Sequence, residues 1–336
     1  MKKLKRIFAV FFCLLLAAGI LGGCGKAASS SAPAPSALQS GNKPLKIVTT
    51  IFPEYDWVRE ILGDKADHAE VTMLLDNGVD LHSYQPTADD IIKISDCDLF
   101  IYVGGESDGW VEDALKEATN KEMQVINLLD MLGEQVKEEE VVEGMEAEEE
   151  ESEDEDEPEY DEHVWLSLKN AETLCNAITD ALEEIDPANK DAYATNAASY
   201  LEKLAALDGE YQTVVDNAAR KTVLFGDRFP FRYLVDDYGL SYYAAFAGCS
   251  AETEASFETI SFLAGKVDEL RLPCVLTIEG AQHKIAETIV QNTAEKNQSI
   301  LTLDSMQSTT STDVANGTTY LSVMESNLDV LKQALN

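Results

Sequence analysis

The chain alternates short apolar runs rich in β-branched residues with amphipathic helical patterns, and it does so in two separate blocks. This alternation is typical of a parallel sheet wound with helices. Between the blocks, residues 189–219 keep a helical apolar period, which at 1.5 Å per residue would make a helix roughly 45 Å long. The eight runs are residues 46–52, 69–75, 98–104 and 123–129 in the first block and residues 221–227, 241–246, 274–280 and 299–305 in the second.

These patterns predict an α/β protein of two similar lobes, each a roughly four-stranded parallel sheet wound with helices, joined by one long rigid bridging helix. We expect the N-terminal lobe to span residues 45–188, the bridging helix residues 189–219 and the C-terminal lobe residues 220–336. Further helices are predicted over residues 168–185 and near residues 313–334. Ligands of open α/β sheets bind beyond the carboxyl ends of the strands, so two such edges would form a cleft between the lobes.

The first residues carry the features of an export signal. Four of the first six residues are basic, an apolar run follows from Ile7 to Leu21, and small residues precede Cys24. This pattern predicts a lipoprotein signal peptide over residues 1–23 and lipidation of Cys24. The run is shorter than the roughly 20 residues of a spanning helix, and the Ser-, Ala- and Pro-rich residues 24–44 predict a flexible tether. We therefore expect a bacterial lipoprotein, lipid-anchored to the membrane at its extracytoplasmic face.

Acidic residues strongly outnumber basic ones in this chain. The 62 Asp and Glu residues against 25 Lys and Arg residues give a formal charge of −37. Such a surface repels nucleic acid and attracts cations, so we expect no nucleic-acid partner. The cysteines after Cys24 are widely spaced without a CxxC pair, which favours buried small hydrophobic residues over a disulfide framework or a zinc ribbon. They are Cys97, Cys175, Cys249 and Cys274, and a disulfide between the last two stays open.

Two of the four histidines lie at loop-to-helix junctions of the first lobe. His82 precedes Thr87, which is expected to cap a helix together with Asp90. His163 also precedes a helix, and Trp165 is placed to pack beneath its ring. A single loop histidine is more often an ordinary polar residue than a ligand. Two histidines at equivalent positions indicate a metal site.

Three segments resemble those of the zinc- and manganese-binding lipoproteins of metal ABC importers, the cluster A-I (cluster 9) solute-binding family. Residues 78–115 resemble the stretch from the first metal histidine to a Gly…Glu/Asp-x-Trp turn. "DEHVWLS" (161–167) resembles the second-histidine motif Asp-Pro-His-x-Trp, and "YLVDDYGL" (233–240) resembles the segment after the third ligand. The resemblance implies a metal ion held in the inter-lobe cleft by His82 and His163. It also implies delivery to a membrane permease that works with a cytoplasmic ATPase.

The resemblance implies two further ligands, and here the chain departs from the family's pattern. The third position falls at Arg228, which stays protonated and cannot bind a metal, so Asp227 is the candidate beside it. Asp304 matches the fourth ligand, a carboxylate, and Glu279 and His283 are possible substitutes. A salt bridge from Arg228 to one of these three acids is the alternative, and it would withdraw an oxygen from the metal.

An acidic run separates the two candidate histidines: seventeen of the 25 residues from 138 to 162 are Asp or Glu. Zinc-specific members of the resembled family carry a His- and acid-rich insertion at this place, whereas the run here contains no histidine. We predict an acidic disordered loop over residues 137–161. Its carboxylates would raise the local concentration of divalent cations near His163 while binding each ion weakly. A loop that only aids solubility is the alternative.

Two imidazoles with one or two carboxylates suit four-coordinate zinc and, with added oxygens or water, also manganese. The usual affinity order favours zinc. We therefore predict a monomeric protein, not an enzyme, that captures Zn²⁺, or less readily Mn²⁺, and delivers it to an ABC importer permease. The alternatives are a binding protein for an organic solute in a cleft lined by Trp57, Trp110 and Trp165, a calcium-capturing surface protein, and a zinc-dependent hydrolase, although HExxH and GxSxG motifs are absent.

Overall fold

The computed structural model describes residues 43–146, 159–250, 254–280 and 282–336. The predicted signal peptide, the lipidation site Cys24 and the tether up to residue 42 lie outside the described residues, so these assignments stay predictions. Residues 147–158 of the acidic run also lie outside them. In the described ranges, no helix combines the length and the apolar character that crossing a bilayer requires.

Two four-stranded parallel sheets form the framework, as the sequence predicts. The first has the order β2-β1-β3-β4 and the second the equivalent order β6-β5-β7-β8. The inner strands are mostly apolar and buried because helices cover both faces of a parallel sheet. The strands are β1 (Leu45–Thr49), β2 (Ala69–Met73), β3 (Leu99–Tyr102), β4 (Gln124–Asn127), β5 (Thr222–Phe229), β6 (Ser241–Ala247), β7 (Cys274–Thr277) and β8 (Ser299–Thr302).

Eleven α-helices accompany the strands in the described part of the chain. They are α1 (Phe52–Leu62), α2 (Ala88–Ser95), α3 (Val111–Lys116), α4 (Leu128–Leu132), α5 (Leu168–Ile185), α6 (Lys190–Asn217), α7 (Arg232–Tyr238), α8 (Phe257–Leu270), α9 (Lys284–Asn292), α10 (Ser311–Ala315) and α11 (Tyr320–Leu335). The predicted helix at 168–185 is confirmed as α5. The final helix predicted near 313–334 is confirmed as α11, but it begins later, because Gly317, at φ +100°, turns the chain after α10 and Thr319 caps a new helix.

The long helix α6 is confirmed as the connection between the two halves of the chain. Its buried residues recur every three or four positions, so they share one face. That face packs against α1 and α5 of the first lobe and against α11 at the end of the chain. The buried residues are Tyr193, Ala197, Tyr200, Leu204, Leu207, Tyr211 and Val215. The largest hydrophobic core therefore runs from the first sheet, through the helix layer, to one face of the second sheet.

Tyr320, the first residue of α11, ties the loop before α5 to the C-terminal part of the chain. Its hydroxyl donates to the carbonyl oxygen of Trp165 at 2.7 Å, and its backbone N–H donates to Asp56 Oδ2 at 2.9 Å. The Trp165 indole N–H donates to the carbonyl oxygen of Ser305 at 2.9 Å. The side chains of Tyr320 and Trp165 are fully buried. If one of these hydrogen bonds were lost, water could not replace the missing partner.

We predict that Tyr320→Phe lowers the free energy of unfolding by about 1–3 kcal/mol, because it leaves the buried Trp165 carbonyl without its donor. Urea denaturation of the purified protein measures the change. Tyr55→Phe is the matched control, since the Tyr55 hydroxyl bonds Arg59 at the surface. Equal losses in the two variants would contradict the assignment.

Candidate metal centre

His82 lies in the loop between β2 and α2, where two hydrogen bonds hold it. Asp80 Oδ1 accepts the backbone N–H of His82 at 3.0 Å and caps a short 3₁₀ turn. The ring Nδ1 lies 2.8 Å from Ser107 Oγ, which follows β3. The predicted cap of α2 is confirmed, because Thr87 and Asp90 form a reciprocal capping box. These contacts fix the direction in which the imidazole points.

His163 is completely buried just before α5. Asp161 Oδ1 accepts hydrogen bonds from both the backbone N–H and the ring Nδ1 of His163, each at 2.9 Å. The carbonyl oxygen of Asp161 is held in turn by the Tyr233 hydroxyl at 2.8 Å. The Trp165 ring lies 5.3 Å from the His163 ring, so the predicted packing is confirmed. A carboxylate that accepts a hydrogen bond from Nδ1–H favours the tautomer whose lone pair is on Nε2.

The two imidazoles turn their Nε2 atoms toward each other across 3.3 Å. Two nitrogens bound to one tetrahedral zinc, with Zn–N bonds of about 2.0–2.1 Å, lie about 3.3–3.4 Å apart. The observed spacing thus matches one edge of a zinc tetrahedron. Burial and the neighbouring His163 lower the pKa of His82 to about 4, so its ring is neutral near pH 7. Burial lowers the pKa of His163, but the neighbouring carboxylates of Asp161, Glu162 and Asp80 together raise it above its usual value.

Cys249 joins the two histidines. Of the described residues, His82, His163 and Cys249 form the group of His, Cys, Asp and Glu residues whose ligand atoms all lie within 4.8 Å of one another. Gly248 makes this approach possible, because a Cβ there would lie 3.0 Å from the His163 ring and 2.9 Å from the Phe229 carbonyl oxygen.

The interpretation of Cys249 as merely a buried hydrophobic residue is wrong, since it is only half-buried and lines the cavity beside His82. All four described cysteines are free, so the possible Cys249–Cys274 disulfide is absent. The signal that sequence reasoning missed is position. Cys249 follows the carboxyl end of β6 by two residues, where a thiol can serve as a ligand just as an acid or a histidine can.

A cavity of about 290 Å³ opens beside His82 and is lined by several carboxylates. Glu162 is almost completely buried; its Oε1 accepts the Ser107 N–H at 3.0 Å. Its Oε2 lies 3.5 Å from His82 Nδ1 and has no hydrogen-bond partner among the described residues. Burial raises the pKa of Glu162. The lining residues are His82, Glu106, Ser107, Glu139, Glu159, Tyr160, Glu162 and Cys249.

The acidic run is ordered at both of its described ends, so the prediction of a loop disordered from residue 137 to 161 is wrong there. The backbone pairs Glu138 with Tyr160, and the Lys137 N–H donates to the Tyr233 hydroxyl at 3.0 Å. Farther along, Glu146 donates its backbone N–H to the Ala245 carbonyl oxygen at the edge strand β6. These partners lie far away in the sequence, which is why a charge pattern alone did not reveal them. We call residues 137–146 the acidic limb.

The acidic limb also reaches the candidate centre. Glu139 Oε1 accepts the backbone N–H of Cys249 at 3.0 Å, and Glu140 pairs with Arg232 at the start of α7. Gly144, at φ +86°, lies so close to Phe262 that a side chain would clash. The acidic limb thus carries Glu139 from the first lobe to the cavity while its end packs on the second lobe.

Arg228 does form an ion pair, but its partner is not one of the three acids considered. Its Nη2 lies 2.6 Å from Asp80 Oδ2, and the other oxygen of Asp80 holds the His82 backbone. The strand β5 has an irregularity between Phe225 and Arg228, after which the guanidinium points toward the loop of the first lobe. Arg228 therefore links the end of β5 to the loop that carries His82.

The other candidate ligands lie outside the group of His82, His163 and Cys249. Glu279 uses its carboxylate to hold the loop after β8, accepting from Ser305 N at 2.6 Å and Gln307 N at 3.0 Å. Asp304 Oδ1 accepts from Met306 N at 2.8 Å, and Asp227 Oδ1 from Arg228 N at 2.9 Å. His283 precedes α9, and its Nδ1 is buried without a partner among the described residues. Their assignment as ligands stays a prediction.

Comparison with known proteins identifies relatives over most of the chain. The family described as zinc-uptake complex component A, periplasmic (ZnuA) matches residues 47–334. The high-affinity zinc uptake system protein ZnuA of Bacillus subtilis is 32% identical over 337 residues, covering 99% of this chain and 98% of that protein. The zinc-binding lipoprotein AdcA of Streptococcus pneumoniae is 33% identical over 290 residues, covering 86% of this chain. The chain spans about half the length of AdcA, 55% of it.

Solved structures agree with these matches. The Zn(II)-bound ZnuA-like domain of Streptococcus pneumoniae AdcA superposes with a TM-score of 0.67 at 30% identity, covering 87% of this chain and 99% of that domain. The metal-dependent lipoprotein YcdH of Bacillus subtilis superposes with a TM-score of 0.69 at 29% identity, with the same two coverages. Both comparisons support the two-lobe α/β architecture.

We predict that Asp161→Asn weakens the binding of a divalent cation by about 10–100-fold, because the ring of His163 loses the charged acceptor that fixes its tautomer. Competition with a chromophoric chelator measures the change. Asp329→Asn, at an exposed position of α11, is the control. Unchanged affinity in Asp161→Asn would rule out His163 Nε2 as a ligand oriented by this carboxylate.

Proposed function

Because this chain belongs to the family of periplasmic zinc-uptake components, we propose that it captures Zn²⁺ outside the cytoplasmic membrane and delivers it to an ABC importer. The Bacillus subtilis relative, matched along nearly its whole length, is named a high-affinity zinc uptake system protein. The domain of AdcA with the same fold was solved with Zn(II) bound. The cargo of this chain is inferred from these relatives together with its own candidate centre.

The observation that carries the proposal is the pair of facing imidazole nitrogens. The 3.3 Å spacing of His82 and His163 Nε2 matches the edge of a tetrahedral zinc site. A ring fixed through its Nδ1 is the usual arrangement of a metal-binding histidine. The neutral state of His82 near pH 7 keeps its lone pair available. Zinc is proposed over manganese because N/O sites follow the usual affinity order.

The proposal is of a binding protein rather than a hydrolase or a carrier of organic solutes. The cavity beside His82 measures about 290 Å³, just below the range usual for pockets that hold organic ligands, and the larger cavity of about 930 Å³ beside Arg228 and Glu279 is lined by neither His82 nor His163. Trp57 and Trp165, which were considered as cleft-lining residues, are fully buried in the core, and Trp110 packs against it. The core shared between the two sheets limits hinge opening, so loading would proceed by small tilts and loop ordering.

Delivery would take place at the membrane. We propose a monomer tethered through lipidated Cys24, which docks on a permease driven by a cytoplasmic ATPase. The family to which the chain belongs consists of solute-binding transport components, which supports this partner. The relative AdcA is named a lipoprotein, which supports the anchor.

We predict that the His82→Ala/His163→Ala double variant loses the single tightly held zinc ion of the parent protein, because both facing nitrogens disappear. Native mass spectrometry of the purified protein, titrated with zinc and then manganese, measures occupancy. His68→Ala is the matched control, since His68 is exposed outside the centre. Tight zinc uptake that persists in the double variant would overturn the proposed function.

We further propose that the acidic run accelerates zinc capture. Nine of residues 147–158 are Asp or Glu. A dense group of negative carboxylates raises the local concentration of cations near the centre. Replacing these nine with Ser or Asn at equal length should slow zinc association and flatten its dependence on ionic strength, and lower the affinity by about the same factor, because the ligands of the centre set the dissociation rate. Stopped-flow mixing at two salt concentrations measures both rates. An association rate equal to that of the parent would reduce the run to a solubilising role.

A further inference from the structure

The residue at the position expected for a third ligand, Arg228, cannot bind a metal ion. Arg228 stays protonated and its guanidinium is engaged with Asp80 at 2.6 Å. The carboxylates of Glu279 and Asp304 accept hydrogen bonds from the backbone of the loop after β8, and they lie outside the group of His82, His163 and Cys249. A donor from a different element of the second lobe lies closer to the imidazole pair.

Cys249 is that donor in the described residues. Its sulfur lies within 4.8 Å of the ligand nitrogens of both His82 and His163, and it follows the end of β6, in the second lobe. In tetrahedral zinc, a sulfur and a nitrogen ligand lie about 3.5 Å apart, so a small inward movement completes the geometry. The absence of a side chain at Gly248 allows that close approach to His163.

Two backbone hydrogen bonds hold Cys249 at this place. The backbone N–H of Glu162 donates toward the Cys249 sulfur, and the Cys249 N–H donates to Glu139, while burial and the neighbouring carboxylates raise the pKa of the thiol in the metal-free protein. Glu162 Oε2 is nearly fully buried 3.5 Å from His82 Nδ1, so its negative charge faces the ring nitrogen that does not bind the metal. Two neutral imidazoles and one thiolate leave a bound Zn²⁺ with one positive charge, which this carboxylate offsets.

We propose that Cys249 is the third protein ligand and that the centre is a His₂Cys site for zinc-like cations. This inference rests on the proposed function and specifies the chemistry of its cargo. Binding replaces the S–H bond with an S–metal bond and releases the proton to water. A thiolate favours zinc and cobalt over manganese, which prefers oxygen ligands. The site thereby excludes Mn²⁺ by ligand type, in addition to the general affinity order.

Cobalt substitution tests the sulfur directly, because a cobalt–thiolate bond gives a charge-transfer band in the near ultraviolet. We expect the reduced, metal-free protein to bind one Co²⁺ with this band and with visible bands of tetrahedral cobalt. Cys249→Ser should lose the charge-transfer band, while Cys274→Ser, which changes a buried cysteine of β7, should keep it. Zinc affinity of Cys249→Ser should fall by more than about 100-fold, the upper range for losing an outer-shell partner.

The outcomes separate this inference from the proposed function. One Co²⁺ bound through His82 and His163 without a charge-transfer band would overturn the role of Cys249 and leave zinc capture intact. No tight Co²⁺ or Zn²⁺ binding by the parent protein would overturn both. Displacement of bound Co²⁺ by equimolar Mn²⁺ would also contradict a thiolate centre. If Cys249→Ser fails to fold, the spectrum of the parent protein still decides.

Discussion

The two hydrogen bonds from His163 to Asp161 Oδ1 determine the geometry of the candidate centre. They hold the ring in a fully buried place where it has no freedom to turn, and they direct Nε2 toward His82. Asp161 is itself held by Tyr233, and the neighbouring Trp165 by Tyr320. Because these aromatic residues belong to the C-terminal half of the chain, a centre built on loops of the first lobe depends on the packing of the second.

The candidate centre is surrounded by several acidic side chains and by the positive charge of Arg228. Arg228 neutralises Asp80, so the loop that carries His82 is anchored without using a carboxylate of the cavity. Glu139 and Glu162 remain at the cavity, and burial raises the pKa of both. A divalent cation would pair with these buried carboxylates, and a buried carboxylate is stable when it is paired with a positive charge. The acidic limb contributes Glu139 to this group and packs on both lobes.

The fold was largely predictable because the signals for it are local. Runs of β-branched residues mark β1 to β8, and the apolar period of α6 continues through Gly209 over seven turns. The exception near the C-terminus follows from Gly317, where one positive φ divides two helices that share a sequence pattern. His82 and His163 were predictable as a pair because each lies at a loop-to-helix junction after a recognisable motif.

The sequence by itself determined the alternation of strands and helices, because hydrophobic periodicity is a property of residues that are neighbours in the chain. It also determined the strong negative charge and the two histidines, because these can be read directly from the composition and the motifs. Only the tertiary structure decided that Arg228 pairs with Asp80, that the start of the acidic run is ordered, and that Cys249 lies beside both imidazoles. Each of these contacts joins residues about 20 to 170 positions apart. Distance in space between strand ends depends on how the two sheets pack, and no local pattern in the chain encodes it.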